Sequence, residues 1–277
     1  MKAIETLQQF EELNQELVYF LAELNLNEWL LQSHITGHTV KDMASHLLRG
    51  SLQRISMQRD HFFDVDGSRL QTHPDLLHQA KLQNEAWILA TSCLSPRLLL
   101  ELIKKYEQEV FELYRRLKSD EASPFPLAWA GREHSPNWMD IAGVYARKWT
   151  LQMQMRMATG RTLLMSERFL TPYYETVLLG LPFKLDSSEL PTTEHLLEIE
   201  ITGELRLRKR LQQKDSLWNF TDINNKLPDT VIKIPASIGW LLFTNTDRNR
   251  ENVLDNIIYH GDNTVITCVL NYTAALS

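Results

Sequence analysis

The 277-residue chain has only two cysteines, Cys93 and Cys268. They lie far apart and share no metal-ligand spacing, which excludes a disulfide framework and a cysteine-built zinc site. Glycine and proline number ten each, too few for a collagenous or low-complexity chain. No uninterrupted apolar run approaches the roughly 18 residues of a membrane span, and the opening stretch carries early acids instead of the basic and apolar regions of a signal peptide. An excess of positive charge is also lacking. Lys and Arg total 29 against 35 Asp and Glu, for a net charge of -6; the split is 20 against 22 before Asp186 and 9 against 13 from there on. Neither part is a basic module drawn to nucleic acid or anionic lipid. The expectation is a reduced, cytoplasmic globular protein with no nucleic-acid or membrane partner.

What is present begins with helical periodicity. Leu7, Phe10, Leu13, Leu17, Phe20, Leu21 and Leu24 recur three and four apart, with Glu and Gln between them. Thr39 is placed to cap a helix over Val40 to Arg59, with Asp42 as the acid of a capping box. Further helices are predicted through Leu76 to Thr91, from the Ser95-Pro96 start to Leu117, and from Trp138 to a stop at Gly160. Long amphipathic helices with polar connections pack most simply as an antiparallel bundle. The Trp-bearing loop from Pro124 to Trp138 is expected to be ordered, because Trp129 and Trp138 are too large and apolar to remain in solvent.

The pattern changes after about Leu181. Leu197 to Thr202 and Thr230 to Ile234 alternate apolar and polar, and Asn263 to Leu270 is rich in β-branched residues, so all three are predicted strands. Ser237 to Phe243 and Arg250 to Ile258 read as short helices, giving a small α+β domain after a boundary between Pro182 and Pro191.

Several segments together resemble the mycothiol-dependent maleylpyruvate isomerase type of the DinB-like helical bundles, whose small C-terminal domain is related to sterol-carrier folds. They are Thr39 to Leu48, with His38 where the family usually has tryptophan; Asn84-Glu85-Ala86-Trp87; Leu94-Ser95-Pro96; Ala128-Trp129-Ala130-Gly131; Ser135-Pro136-Asn137-Trp138; the helix Ile141 to Arg156; Gly239 to Thr244; and His260-Gly261-Asp262-Asn263. The resemblance implies a four-helix DinB-like bundle over residues 1–180 and a sterol-carrier-like α+β domain over 181–277. It also implies a divalent metal held by three side chains: a histidine from the second helix and a Glu-x-x-x-His pair, four apart on one face of a later helix. Such a metal deprotonates a low-molecular-weight thiol and polarises a carbonyl.

Carried over residue by residue, the first ligand is His46, but the glutamate position is Arg147 and the second histidine position is Leu151. A guanidinium beside the site repels a dication. The leading expectation is therefore a degenerate metal site, no cofactor, and binding of a small molecule or a partner without turnover. The alternative is a thiol-dependent isomerase or transferase that uses zinc or nickel, or Arg147 in the metal's place. The candidate ligand-binding residues are Arg147, Leu151 and Asp42, with His46 the retained metal position.

The same residues have plainer readings. His46, at the edge of the stripe Val40, Met43, Ala44, Leu47 and Ser51, reads first as a hydrogen-bonded core histidine. Arg147 either meets solvent or a carboxylate such as Asp42, or stands inward; the sequence leaves both open. Leu151 reads as packing, and Met153, Met155 and Met157 as gap-filling core. His34 with His38, His73 with His78, and Glu133 with His134 are minor candidates for a rebuilt site. Cys93 lacks a basic neighbour, and Cys268 is expected to be inert in its strand. Arg206, Arg208, Lys209 and Arg210 read as the wet face of a strand, with a small anion patch as the rival.

Overall fold

The computed structural model describes residues 2–33, 37–62, 73–125, 127, 130–188, 190, 194–223, 225–244, 246 and 250–274, with backbone alone for 73–81 and 250. It is mainly helical, with a five-stranded sheet towards the C-terminus. The chain forms two compact units, each discontinuous in sequence. One comprises Leu7–Lys118 with Leu151–Thr162; the other comprises Met1–Thr6, Ser119–Thr150 and Leu163–Ser277.

In the first unit, α1 (Leu7–Ala22) buries Phe10, Leu13, Leu17, Phe20 and Leu21, the periodic stripe read from the sequence. The short α2 (Leu26–Trp29) opens on a capping box made by Asn25 and Glu28. Helix α3 (Val40–Arg54) opens on the expected one, in which Thr39 and Asp42 satisfy each other's backbone N–H groups and so meet donors that a helix start leaves orphaned. Its continuation to Arg59 is not α-helical: Ile55–Arg59 is a π-helical turn. Helix α4 (His73–Thr91) packs on α3. Ser95 caps α5 (Pro96–Arg116), whose Leu99, Ile103, Val110, Phe111 and Tyr114 are buried and which packs on α1 and α3. Helix α6 (Asn137–Ala158) ends two residues before the expected glycine stop. Gly160 takes φ +65°, and Arg161 N–H donates to the Arg156 carbonyl at 2.9 Å, the closure that a left-handed glycine permits.

The second unit holds the first part of α6, α7 (Glu167–Leu178), α8 (Leu181–Asp186) and the sheet. Its strands are β1 (His195–Thr202), β2 (Leu207–Lys214), β3 (Leu217–Thr221), β4 (Thr230–Pro235) and β5 (Ile258–His260), in the order β3-β2-β1-β4-β5. Only β1 and β4 pair in parallel. Asp215 and Ser216, at φ 50° and 67°, form the two-residue β2–β3 hairpin, whose turn requires positive φ at both central positions. One face of the sheet buries Leu197, Ile199, Ile201, Leu211, Ile232 and Ile234. The opposite face carries cross-strand charge pairs, Glu198 with Arg210 at 2.6 Å and Glu200 with Lys233 at 3.2 Å. Helices α9 (Ala236–Thr244), α10 (Arg250–Leu254) and α11 (Asn263–Leu270) complete the unit.

Three sequence expectations need correction here. Residues 263–270 form α11, not a strand. Asp262 caps it by accepting from Thr264 and Val265 N–H, and Val265, Ile266, Cys268 and Val269 are buried at helical spacing, so burial and the cap override β-propensity. Cys268 is therefore on a helix, buried, with its Sγ 3.1 Å from Ser188 Oγ. The helix begun at Arg250 ends at Leu254, and Ile258 opens β5. Arg210 is not on a wet face either. It is 6% exposed against a 7% exposed Glu198, because a buried guanidinium is stable only when paired.

Of the Trp-bearing loop, Trp138 is buried in a cluster with Ile4, Leu127, Ala130, Met139, Ala142 and Leu179; Trp129 lies outside the described residues.

Two expectations follow for the end of the sheet. Gly261 has φ +115°, and a Cβ there would meet the Asp229 carbonyl at 2.4 Å; Gly203 has φ +94° with nothing within 4 Å. Chemical denaturation is expected to show Gly261→Ala costing about 3 kcal/mol and Gly203→Ala only about 1 kcal/mol. Equal costs would show that backbone conformation alone matters at both sites. The Asp262 carboxyl is held below the usual carboxylate range by hydrogen bonds from the Thr264 side chain and from the Val265 and Thr264 backbone. With the folded pKa depressed, its contribution is present above the unfolded pKa and is lost as pH falls through the folded value. Asp262→Asn is therefore expected to flatten the acid limb of the stability–pH curve, read by thermal denaturation between neutral and acidic pH.

Candidate functional site

The candidate residues of the first unit lie on α3 and on the last turns of α6. Met43, Ala44, Leu47 and Leu48 turn into an apolar cluster with Leu17, Phe20, Leu21, Leu99 and Ile103. On its α4 side, α3 is polar. Ser45 Oγ is 2.6 Å from Thr91 Oγ1, the Trp87 indole N–H donates to the Ser45 carbonyl at 2.9 Å, and Arg49 donates to Asn84 and to Gln83. Burial lowers the Arg49 pKa. His46 sits between these partners in sequence and is half-buried; its side chain does not stand alone. Asp42, four residues earlier, accepts from Thr39 N–H at 2.9 Å and from Thr39 Oγ1 at 2.8 Å. Its carboxylate thus serves the start of its own helix.

Helix α6 has almost no solvent face over its last turns. Leu151 through Arg156 are all buried. Leu151 and Met155 join the same apolar cluster as Met43, Ala44 and Leu47. Gln152 and Arg156, also four apart, meet α1. Gln152 Nε2 donates to the Leu13 carbonyl at 2.8 Å. Arg156 donates to the Glu16 carboxylate at 3.0 Å and to the Glu16 and Thr162 carbonyls, and its guanidinium lies over the Phe20 ring at 4.9 Å. Burial lowers the Arg156 pKa, and the Glu16 charge opposes that. Arg147 precedes Leu151 by one turn on the same stripe of the helix; it is half-buried, belongs to the second unit, and has a partner of its own.

Among the described residues, no three His, Cys, Asp or Glu side chains come together as a group able to hold a metal ion. His134 and Glu133 are exposed in the loop before α6, His38 is half-buried, and Cys93 is exposed after α4. His34 and the side chains of His73 and His78 lie outside the described residues. Of the basic run, Lys209 pairs with Glu175 at 2.9 Å and Arg208 approaches Glu198 at 3.7 Å, so charges already present on the unit occupy it.

Some polar residues were not singled out by the sequence reading. Glu107, on the buried stripe of α5, is 1% exposed and accepts from Ser51 Oγ at 2.6 Å; its position inside an apolar period was the available signal. In the second unit, Trp149 stacks at 4.2 Å on Tyr173 and edge-on to Trp240, and its indole N–H donates to the Leu164 carbonyl at 3.1 Å. Burial holds the Tyr173 and Tyr174 phenols above their ordinary range, so they remain neutral hydroxyls.

No family model matches the chain, and no curated protein matches it in sequence. Among solved structures, it is similar to the mycothiol-dependent maleylpyruvate isomerase, with a TM-score of 0.51 and 11% identity over 90% of this chain and 94% of that one. A histidine-to-alanine variant of that enzyme matches at TM-score 0.47 and 11% identity, over 89% of this chain and 93% of that one. The first likeness shows a shared fold across nearly the whole chain.

If Leu151 is core rather than a seat for a ligand, Leu151→Ala should cost about 3 kcal/mol of stability through the cavity it leaves, and Leu151→Met less than about 1.5 kcal/mol. Urea denaturation checks both. A Leu151→Ala variant as stable as the parent would mean that the side chain lines open space.

Proposed function

We propose that this chain is a maleylpyruvate isomerase-like, DinB-like protein with a degenerate metal site, and that it binds a small molecule or a partner without turnover. The finer architecture belongs to the same reading: a four-helix bundle over residues 1–180, a sterol-carrier-like domain over 181–277, and a cytoplasmic setting. The observation that carries it is the packing of Leu151 in an apolar cluster with Met43, Ala44 and Leu47, at the position where the resemblance implies a histidine. The three positions supply one imidazole, one guanidinium and one isobutyl group. That set does not fit a divalent ion, which needs three or four donors and no adjacent cation.

In this reading Arg147 offers charge-assisted hydrogen bonds to a carboxylate, either that of Asp42 or that of a bound ligand. Asp42 also accepts from Thr39. The half-buried Arg147 also keeps a second reading open: a low-molecular-weight-thiol-dependent isomerase or transferase in which this guanidinium holds the thiolate. A guanidinium supplies no metal-bound water and no Lewis acid, which places that reading second.

Protein purified without a histidine tag is expected to carry well under one equivalent of zinc, nickel or iron. Near-stoichiometric metal, lost in His46→Ala, would overturn the proposal. The double variant Arg147→Glu with Leu151→His restores the implied ligand set and is expected to gain zinc binding in an isothermal titration. A well-folded double variant that still ignores zinc would show that these residues do not occupy the metal positions.

A further inference from the structure

Three arginines withdrawn from solvent in this chain meet a carboxylate: Arg156 meets Glu16 at 3.0 Å, Arg161 meets Glu28 at 2.8 Å and Arg210 meets Glu198 at 2.6 Å. Arg49 does not. It is half-buried on the α4 side of α3, and its terminal nitrogens donate to the side-chain oxygens of Asn84 and, at 2.7 Å, of Gln83. Both acceptors are neutral carboxamides. Burial lowers the Arg49 pKa with no neighbouring charge opposing it, whereas the Glu16 charge opposes the same effect at Arg156. A guanidinium keeps its proton through such a shift, so Arg49 is a cation with no counter-charge among the described residues.

The surroundings hold this cation in one orientation and leave part of it open. On α4, Gln83 and Asn84 lie one turn before Trp87, whose indole N–H donates to the Ser45 carbonyl at 2.9 Å. Ser45, one turn before Arg49, also pairs with Thr91, so the seam between α3 and α4 is fastened next to the guanidinium. Asn84 engages Nη1 and Gln83 engages Nη2, which fixes the plane of the fork. Two of its five N–H groups are thereby used. Nε makes no hydrogen bond among the described residues and, unlike the sealed Nε of Arg156, is accessible to solvent. Gln83 is itself exposed, so the fork stands at the surface and not in the core.

We infer that the Arg49 fork is a binding site for the carboxylate of a small organic acid. A planar carboxylate accepts two parallel N–H groups from a guanidinium, in charge-assisted hydrogen bonds stronger than those to neutral amides. One cation also matches one negative charge. Phosphate is the poorer fit, because Lys41, two turns earlier on α3, is about 12 Å away along the helix axis, and its Nζ donates to the Ser92 carbonyl at 2.7 Å. The site lies wholly within the first unit and depends on neither the metal-site reading nor Arg147.

The test follows the Arg49 Nε–H resonance of the full-length ¹⁵N-labelled protein, assigned by its loss in Arg49→Lys. The protein is titrated separately with sodium acetate, sodium phosphate and sodium chloride at matched ionic strength. Acetate is expected to move the resonance saturably, and phosphate and chloride at least tenfold less effectively. Gln83→Glu supplies the missing carboxylate from within the chain, and is expected to raise the melting temperature and to weaken the acetate response at least tenfold. Asn84→Asp makes the same substitution on Nη1 and decides the matter should the first variant fail to fold. The inference is overturned by no response to acetate, by an equal or stronger response to chloride or phosphate, or by an acetate response that survives an internal carboxylate beside Arg49.

Discussion

A helix stretch with no solvent face must look to the protein for the partners of its polar groups, and α6 contains such a stretch. From Lys148 to Arg156 every residue is buried, yet the stretch includes Thr150, Gln152, Gln154 and Arg156. Each polar group buried without a partner would forfeit hydration worth a few kcal/mol. Most find partners inside the protein, although Gln152 Oε1 and Arg156 Nε are buried without a hydrogen bond. Thr150 donates to the carbonyl one turn back, Trp149 to Leu164, Gln152 to the α1 backbone, and Arg156 to Glu16 and two carbonyls. These bonds fix the rotation of α6 about its axis, and with it which side chains enter the apolar cluster: Leu151 and Met155.

That rotation bears directly on chemistry. A leucine in a close-packed cluster brings dispersion contacts and no lone pairs, whereas an imidazole in the same place would need a partner for each nitrogen. The polar face of α3 has likewise been taken up by structure, since Ser45 and Arg49 on either side of His46 bond to Thr91, Gln83 and Asn84, and Asp42 closes its own helix start. The shared fold with the maleylpyruvate isomerase is thus kept by backbone architecture and packing, which tolerate changed residue types so long as volume and polarity pattern are preserved.

The sheet in the second unit is organised by the same demand. Its covered face is apolar, and its other face pairs Glu198 with Arg210 and Glu200 with Lys233 across strands, where opposite charges stand at neighbouring positions. Thr230 links three elements at one end: it meets His195 of β1, belongs to β4, and accepts from Asp262 at the start of α11. Gly261 permits this approach because a side chain there would run into Asp229 and Thr230.

Local signals were sufficient for most of the helices. The Thr39–Asp42 box, the Ser95-Pro96 start and the Gly160 stop each act through atoms within a few residues of one another, so their residue types fix the outcome without distant partners. The strands β1 and β4 were legible from alternation for the same reason. What sequence alone left undecided depended on contacts between distant segments. Residues 263–270 have β-branched composition, but the Asp262 cap and a buried helical stripe make them α11. Arg210 looks solvated in sequence and is buried because Glu198 of another strand meets it. The division into compact units follows neither strand nor helix order, since α6 contributes to both. The neighbours of Leu151 were likewise not legible on one helix: Met43, Ala44 and Leu47 reach the same cluster from α3, and burial is a property of what surrounds a side chain and not of the side chain itself.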